Sequence, residues 1–133
     1  MCAGSIGAGL VVLIGVGQGD TKSLADAMVT KLLGLRIFSD AEGKMNRSVT
    51  EVAGDVLLIS QFTLYANCRR GRRPAFTSAA PPDIANAIYL HIISTVSQSG
   101  LPVAQGVFGA DMKVSLVNDG PVTIMLDSET LFA

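Results

Sequence analysis

The sequence predicts a single compact α/β domain in which mixed and antiparallel β-sheets pack with two helices. Three observations support this fold class. The chain has 133 residues, a length typical of one domain. Apolar residues make up 49% of it, which is enough for a core. Short β-branched runs alternate with two longer segments of helical periodicity. The longest apolar run, Ile6–Gly17, is too short to cross a membrane, which takes about 20 residues.

The first predicted strand and the first helix meet at a glycine-rich turn. Leu10–Val16 is a continuous β-branched and leucine-rich run, which is typical of a buried strand. Gly17–Gly19 ends this strand, and the side chain of Asp20 or Thr21 is expected to cap the helix that follows. Six apolar residues with helical spacing predict its buried face: Leu24, Ala25, Met28, Val29, Leu32 and Leu33.

The middle of the chain is predicted to contain two strands and a polar loop. Leu35–Phe38 indicates a short strand, and Ser39–Lys44 indicates a turn after it. Asp55–Ser60 predicts the next strand, which runs on into Gln61–Tyr65. Asn67–Ala80 is polar and rich in arginine, as expected of a loop.

A second helix and three strands complete the predicted domain, which spans residues 1–133. Pro81 and Pro82 open the helix, where missing N–H groups cost little, and Gly100 ends it. Its expected buried face consists of Ile84, Ala85, Ile88, Tyr89, Ile92 and Val96. The final strands are predicted over Val103–Phe108, Lys113–Asn118 and Val122–Leu126.

Basic residues are concentrated in one loop. The net charge is -1, but four of the ten Lys and Arg residues are Arg69, Arg70, Arg72 and Arg73. The remainder of the chain therefore has six basic residues against 11 acidic ones. A local basic patch on an acidic protein predicts an anionic partner, and guanidinium groups suit phosphates. A simple solvated loop is the alternative interpretation.

Several other motifs point to functions that the remaining residues do not support. Gly15, Gly17 and Gly19 resemble a dinucleotide-binding turn, but Asp20 stands where the third glycine belongs, and its carboxylate would repel a pyrophosphate. His91, the only histidine, is interpreted as solvated or edge-packed and not as a catalytic base. Two cysteines and one histidine give neither a disulfide framework nor zinc spacing. We expect no cofactor or metal, and a reducing cytosol is the simplest compartment.

Two further segments carry polar groups at a strand end and in a turn. Ser60–Leu64 presents a hydroxyl, an amide and a second hydroxyl. Taken alone, it is an alternating strand whose Phe62 and Leu64 face the core. Asn118–Thr123 links two predicted strands, and taken alone it is a turn that uses the dihedral angles of glycine and proline. Neither segment identifies a function by itself.

Together, the two segments resemble the signature of the D-aminoacyl-tRNA deacylase family. The resemblance extends from Ile6 to Asp127 and includes several separate motifs in the family's order. Besides the two segments above, they are Ile6–Leu10, Arg36–Asn46, Gly71–Pro74 and Phe108–Leu116.

The resemblance implies a homodimer that hydrolyses the ester between a D-amino acid and the 3′ end of a tRNA, and it leaves open whether glycine is also removed. It implies a cis peptide bond between Gly120 and Pro121, in a loop that enters the partner's site, holds the substrate ammonium and blocks an L side chain. The backbone N–H groups around Phe62 and Thr63, with Gln61 nearby in the catalytic segment, are expected to stabilise the charged carbonyl oxygen.

The resemblance, the residue types and the local charge together predict roles for other residues. Water, assisted by the terminal ribose hydroxyl of the tRNA, is the expected nucleophile, because the motif offers no base that would activate Thr63. The substrate pocket is expected to include Ser60, Met112 and Asn118 besides the Gly-Pro pair. The tRNA is expected to contact Arg69, Arg70, Arg72 and Arg73.

The N-terminus departs from the family pattern. Family members begin with a strand that contains a Gln-Arg-Val segment, and here Met1–Ser5 stands in its place. We therefore expect a deacylase-type fold that lacks the first strand, exposes a sheet edge and has no counterpart of the arginine that braces the Gly-Pro loop. A nucleic-acid-binding module without catalysis is the alternative hypothesis. A third, a small-molecule-binding α/β domain, would need a pocket away from both motifs.

Overall fold

The computed structural model describes residues 2–132 as two small sheets, three α-helices and one 3₁₀ helix. The strands are β1 (Gly9–Ile14), β2 (Phe38–Ser39), β3 (Met45–Arg47), β4 (Asp55–Ser60) and β5 (Val103–Gln105). The helices are α1 (Lys22–Gly34), α2 (Pro82–Ser97) and α3 (Ser128–Leu131), and the 3₁₀ helix is Phe62–Tyr65. The predicted α/β class is confirmed, with one α-helix more than expected.

The larger sheet consists of parallel strands in the order β1, β4, β5. β1 pairs with β4 along its whole length, from Gly9 opposite Asp55 to Ile14 opposite Ser60. A side chain at Gly9 would overlap the backbone of Asp55, so the close approach of the two strands requires glycine there. This register brings the carboxyl ends of β1 and β4 together, and the first candidate motif begins at that end.

The core lies between this sheet and the helices α1 and α2. Thr21 caps α1, because its hydroxyl accepts a hydrogen bond from the Leu24 N–H at 3.1 Å. Only Ala25 and Val29 of the predicted α1 face are fully buried. The predicted face of α2 is buried except for Ile84, which is 47% exposed. The burial of one face of each helix therefore provides most of the core that supports the sheet.

Tyr89 connects α2 to the sheet through its hydroxyl group. Its side chain is almost fully buried, and its Oη lies 2.9 Å from the carbonyl oxygens of Leu58 in β4 and of Gly106 after β5. Burial raises the pKa of Tyr89. The phenol therefore fixes the backbone two residues before the end of β4.

Four strand predictions need correction. The short strand lies at Phe38–Ser39 instead of Leu35–Phe38, and Val103–Phe108 shortens to Val103–Gln105. The segments Lys113–Asn118 and Val122–Leu126 are not strands. Strands require a paired neighbour, and within residues 2–132 no ladder includes residues 107–127. Much of this segment is consequently exposed. None of the described helices is long and apolar enough to span a bilayer.

Candidate active site

The first part of the candidate site is the segment that follows β4. The Gln61 N–H donates to the carbonyl oxygen of Ile14 at 2.7 Å and extends the β1–β4 ladder by one bond. The chain then enters the 3₁₀ helix, where the Leu64 N–H donates to the Gln61 carbonyl at 3.2 Å. The prediction of a continuing strand with a buried face is therefore wrong, since Phe62 is 57% exposed and Leu64 is 43% exposed.

This turn leaves two backbone donors without a protein acceptor. In the described part of the chain, neither the Phe62 N–H nor the Thr63 N–H donates a hydrogen bond to another residue, as is usual for the first N–H groups of a helical turn. The Gln61 side-chain amide donates to Thr63 Oγ1, which leaves the hydroxyl proton of Thr63 available for a ligand. The hydrogen-bond partner of this hydroxyl is thus an amide, which cannot act as a base.

Two glycines after β1 make room for the ring of Tyr65, the last residue of the 3₁₀ helix. A Cβ at Gly17 would lie 2.8 Å from Tyr65 Cζ, and one at Gly15 would lie 3.1 Å from Tyr65 Cε2. The Asp20 carboxylate accepts from the Gly17 N–H at 2.8 Å. Burial, together with the Asp20 charge, raises the pKa of Tyr65. These glycines therefore serve packing, and a carboxylate occupies the turn where a pyrophosphate would bind.

The arginine cluster lies on a loop that is closed at its base. Asn67 and Ala75 exchange two backbone hydrogen bonds, at 2.7 and 2.9 Å. Gly71, near the tip, has a φ of 63°, which is a conformation that favours glycine. The loop carries four exposed basic side chains: Arg69, Arg70, Arg72 and Arg73. None of the four forms a salt bridge with any other residue between 2 and 132.

An aromatic pair connects the arginine loop to the 3₁₀ helix. Phe76 follows Ala75 at the base of the loop, and its ring centroid lies 5.0 Å from that of Phe62 in an edge-to-face arrangement. Because the ring of Phe62 is mostly exposed, it offers an apolar surface to a ligand. The free N–H groups, the aromatic surface and the basic loop are therefore neighbours in the structure.

The second motif forms a loop that Asn118 closes. The Gly120–Pro121 peptide bond is cis, as the resemblance implied. Asn118 Oδ1 accepts from the Val122 N–H at 2.8 Å, and Asn118 Nδ2 donates to Thr123 Oγ1 at 3.1 Å. Gly120 has a φ of 138°, and a Cβ there would lie 2.7 Å from Val122 Cγ2. The loop therefore requires glycine at this position.

A broad groove of about 2360 Å³ separates β1 and α1 from the C-terminal segment. Five predicted site residues line it: Gln61, Met112, Asn118, Gly120 and Pro121. Ser60, Phe62 and Thr63 are not part of its lining. Within the residues that the structure describes, no hydrogen bond connects the segment 60–64 to the loop 118–123. The first motif is thus held by contacts with the end of β1, and the second by bonds within residues 118–123.

Other polar residues lie away from both motifs, and a few contributors were missed. His91 Nε2 lies 2.7 Å from Asp26 Oδ1 and joins α2 to α1, which agrees with its interpretation as an edge-packed residue. Sequence reasoning missed the roles of Tyr65, Phe76 and Thr123. Only the role of Thr123 could have been predicted from the sequence, because Thr123 lies at the far end of the same turn as Asn118. The contacts of Tyr65 and Phe76 depend on tertiary packing.

Comparison with protein families gives a match over nearly the whole chain. The model of the family described as D-Tyr-tRNA(Tyr) deacylase matches residues 1–127. A D-aminoacyl-tRNA deacylase of Desulfitobacterium hafniense (strain Y51) is 55% identical over 129 residues, which cover 97% of this chain and 87% of that protein. The D-aminoacyl-tRNA deacylase of Rhodopirellula baltica is 60% identical over 124 residues, which cover 93% and 86%.

Solved structures with the same fold include two informative neighbours. A c-Myc DNA unwinding element binding protein superposes with a TM-score of 0.85 at 38% identity, covering 92% of this chain and 83% of that one. A probable eukaryotic D-amino acid tRNA deacylase superposes with a TM-score of 0.66 at 20% identity, covering 80% and 77%. At that identity, the second neighbour supports the fold alone.

Proposed function

This chain belongs to the D-Tyr-tRNA(Tyr) deacylase family, and from that premise we propose that it hydrolyses the ester between a D-amino acid and the 3′ end of a tRNA. The products are free tRNA and a free D-amino acid, so the reaction is a chiral proofreading step in translation. The structural observation that supports it best is the pair of unpaired N–H groups at Phe62 and Thr63.

These two N–H groups suit the charge that ester hydrolysis creates. Attack on the ester carbonyl turns its oxygen into an oxyanion, and fixed donors aimed at that oxygen lower the barrier. Removal of one such donor costs about 3 kcal/mol of transition-state stabilisation. The Gln61 N–H bond to Ile14 and the ring of Tyr65 hold the turn in place, so the donors need little reorganisation during the reaction.

Water is the proposed nucleophile, and the terminal ribose hydroxyl of the tRNA assists it. A Thr63 hydroxyl acting as nucleophile would need a base to take its proton, but its side-chain partner is the amide of Gln61. We assign to Thr63 a positioning role, in which the hydroxyl proton contacts the substrate. Ser60, at the end of β4, and the half-buried Met112 are proposed walls of the pocket.

The loop at Gly120 and Pro121 is the proposed chirality selector. Backbone carbonyls can accept hydrogen bonds from the substrate ammonium, and the missing side chain of Gly120 lets the backbone approach closely. An L side chain would then collide with the loop, whereas a D side chain would point away. A pocket that grips only groups common to all amino acids also admits glycine, which has no side chain to exclude.

A homodimer is the proposed active form. Within residues 2–132, no hydrogen bond connects the selector loop, which is residues 118–123, to the 60–64 segment. The loop of one protomer is therefore proposed to reach the site of its partner. Apolar side chains around the loop support an interface, since Leu116 is 55% exposed, Val117 is 93% exposed and Met125 is 77% exposed. Sedimentation should give twice the monomer mass.

The arginine loop and the Phe62–Phe76 pair are proposed to hold the 3′ end of the tRNA. Exposed guanidinium groups pair with phosphates, and an exposed ring lets a base stack without sequence preference. The four arginines have no competing salt bridge within the described residues, so they are free for phosphates. Since tRNA is charged and used in the cytoplasm, we propose that location for the protein.

Single-turnover hydrolysis of D-Tyr-tRNA, with enzyme in excess, tests the reaction and the mechanism together. Thr63→Ala and Thr63→Val should keep substantial activity, because the N–H survives either substitution. Thr50→Ala, at an exposed turn outside the site, is the matched control. A folded Thr63→Ala variant without turnover, or an acyl ester trapped on Thr63 in the parent, would refute attack by water and identify Thr63 as the nucleophile.

The alternative, a nucleic-acid-binding module without catalysis, has one observation in its favour. The neighbour at 38% identity is named for binding a DNA element, and the basic loop of this chain suits any phosphate backbone. The family match and the names of the sequence relatives favour the enzyme. If the parent chain binds tRNA tightly but releases no D-tyrosine, the result would instead support a nucleic-acid-binding module without catalysis.

A further inference from the structure

We infer that Asn118 is a positioning residue that fixes the loop at Gly120 and Pro121, and that it does not itself bind the substrate. The inference rests on the proposed function, in which this loop distinguishes D from L substrates. It replaces the expectation that Asn118 is a wall of the substrate pocket.

The hydrogen bonds of Asn118 span the selector loop. Its Oδ1 accepts from the Val122 N–H at 2.8 Å, and its Nδ2 donates to Thr123 Oγ1 at 3.1 Å. One bond uses each end of the side-chain amide, so together they fix the plane of that amide and the separation of the two loop ends. Gly120 and Pro121 lie between these anchored ends.

A substrate contact that reorients the Asn118 amide would conflict with this geometry. Turning the amide towards a ligand would break its bonds to the Val122 N–H and the Thr123 hydroxyl, and with both bonds kept its second Nδ2–H points only where the fixed amide plane directs it. The loop would then lose its two internal side-chain bonds at the moment when its carbonyls must be correctly placed. A selector that works by steric exclusion depends on placement within a fraction of an ångström, and a misplacement of 1 Å is costly.

The two hydrogen bonds from Asn118 to Val122 and Thr123, together called the brace, predict an unusual substitution pattern. Asn118→Asp should preserve the brace, because one carboxylate oxygen accepts from the Val122 N–H and the other accepts from the Thr123 hydroxyl. Thr123→Ser keeps the hydroxyl and is the matched control. Asn118→Ala removes both bonds, whereas Thr123→Val removes one bond and keeps the shape of the side chain.

The test compares kcat/KM for D-Tyr-tRNA and L-Tyr-tRNA in the parent and the four single variants. We expect Asn118→Ala to reduce the D-to-L ratio about 25-fold and Thr123→Val to reduce it about fivefold, since each hydrogen bond contributes on the order of fivefold. Asn118→Asp and Thr123→Ser should stay within about twofold of the parent. Loss of global stability alone would lower both rates together and leave their ratio unchanged.

A double variant and an exchange measurement complete the test. Asn118→Ala combined with Thr123→Val should be no worse than Asn118→Ala alone, because both remove the same contact. Amide hydrogen exchange at Val122 should accelerate in Asn118→Ala and not in Thr123→Ser. A parent-like Thr123→Val together with an inactive Asn118→Asp would overturn the brace in favour of direct contact. A parent without D-Tyr-tRNA hydrolysis would instead overturn the proposed function.

Discussion

Removal of the Tyr89 hydroxyl should destabilise the fold by about 1.5 kcal/mol, within the range for a buried carbonyl that loses its partner. In Tyr89→Phe, the Leu58 carbonyl still accepts from the Gly106 N–H at 2.9 Å. The Gly106 carbonyl, by contrast, loses the phenol that lies 2.9 Å from it. Because the ring remains in place, no large cavity forms, and the change reports on the hydrogen bond.

Urea unfolding of the parent, of Tyr89→Phe and of Tyr65→Phe measures this contribution. Tyr65 is the other tyrosine of the chain, and among the described residues its hydroxyl makes no hydrogen bond, so it is the matched control. We expect the midpoint to fall in Tyr89→Phe with an unchanged slope, and the melting temperature to fall by about 5 °C. Equal losses in the two variants, or a loss below about 0.5 kcal/mol in Tyr89→Phe, would refute the assigned role.

The same variant makes a prediction about alkaline pH. The pKa of Tyr89 in the folded protein is raised above its ordinary value of 10.0, mainly by burial. Above pH 10 the unfolded chain therefore releases the phenol proton before the folded chain does, and stability falls as the pH rises. Tyr89→Phe should show a smaller alkaline loss of stability than the parent. An identical pH dependence in both proteins would contradict this reasoning.

Three further outcomes are expected. Gly120→Ala should slow D-Tyr-tRNA hydrolysis about tenfold, because a side chain at a φ of 138° is strained and would contact Val122; an unchanged single-turnover rate would remove the loop from the mechanism. Arg69→Ala combined with Arg72→Ala should reduce the slope of log K for tRNA binding against log salt concentration by about 1.4. An unchanged slope would indicate that the loop is only solvated. Glu51→Gln should flatten the loss of stability below pH 4.5. The Ser48 N–H lowers the pKa of Glu51 in the folded protein, so the carboxylate stabilises the fold above pH 4.5 and this stabilisation is lost as the pH falls. Acid unfolding curves that coincide for the parent and the variant would argue against this reasoning.

The elements that could be predicted from the sequence are those whose apolar residues pack against other parts of the same chain. β4 and α2 are examples, because a run of β-branched residues and a helical stripe each found a partner in the same core. The segments 113–118 and 122–126 also have strand-like patterns, but a pattern cannot say whether a pairing strand is present. Their backbone forms no ladder within the described residues, so the strand propensity is not realised.

The site shows a similar division. The residue types at Gln61, Thr63 and Gly120 were enough to suggest donors and a close backbone approach. The conformation of the 61–65 segment was not predictable, because alternating polarity favours a strand, whereas the packing of Tyr65 against Gly15 and Gly17 favours a helical turn. Contacts between distant residues decided this conformation, and no local window of sequence contains them.

The position of β1 at the edge of its sheet has a practical consequence for handling the protein. Its six residues, Gly9–Ile14, contain no charge and no proline, and Leu13 is 45% exposed. An uncharged β-branched strand with one free edge is a template for intermolecular pairing and slow precipitation. Light scattering should therefore rise with protein concentration and storage time, and Leu13→Lys should suppress it. Activity assays are therefore best performed on fresh, clarified protein at a concentration that keeps the proposed dimer intact.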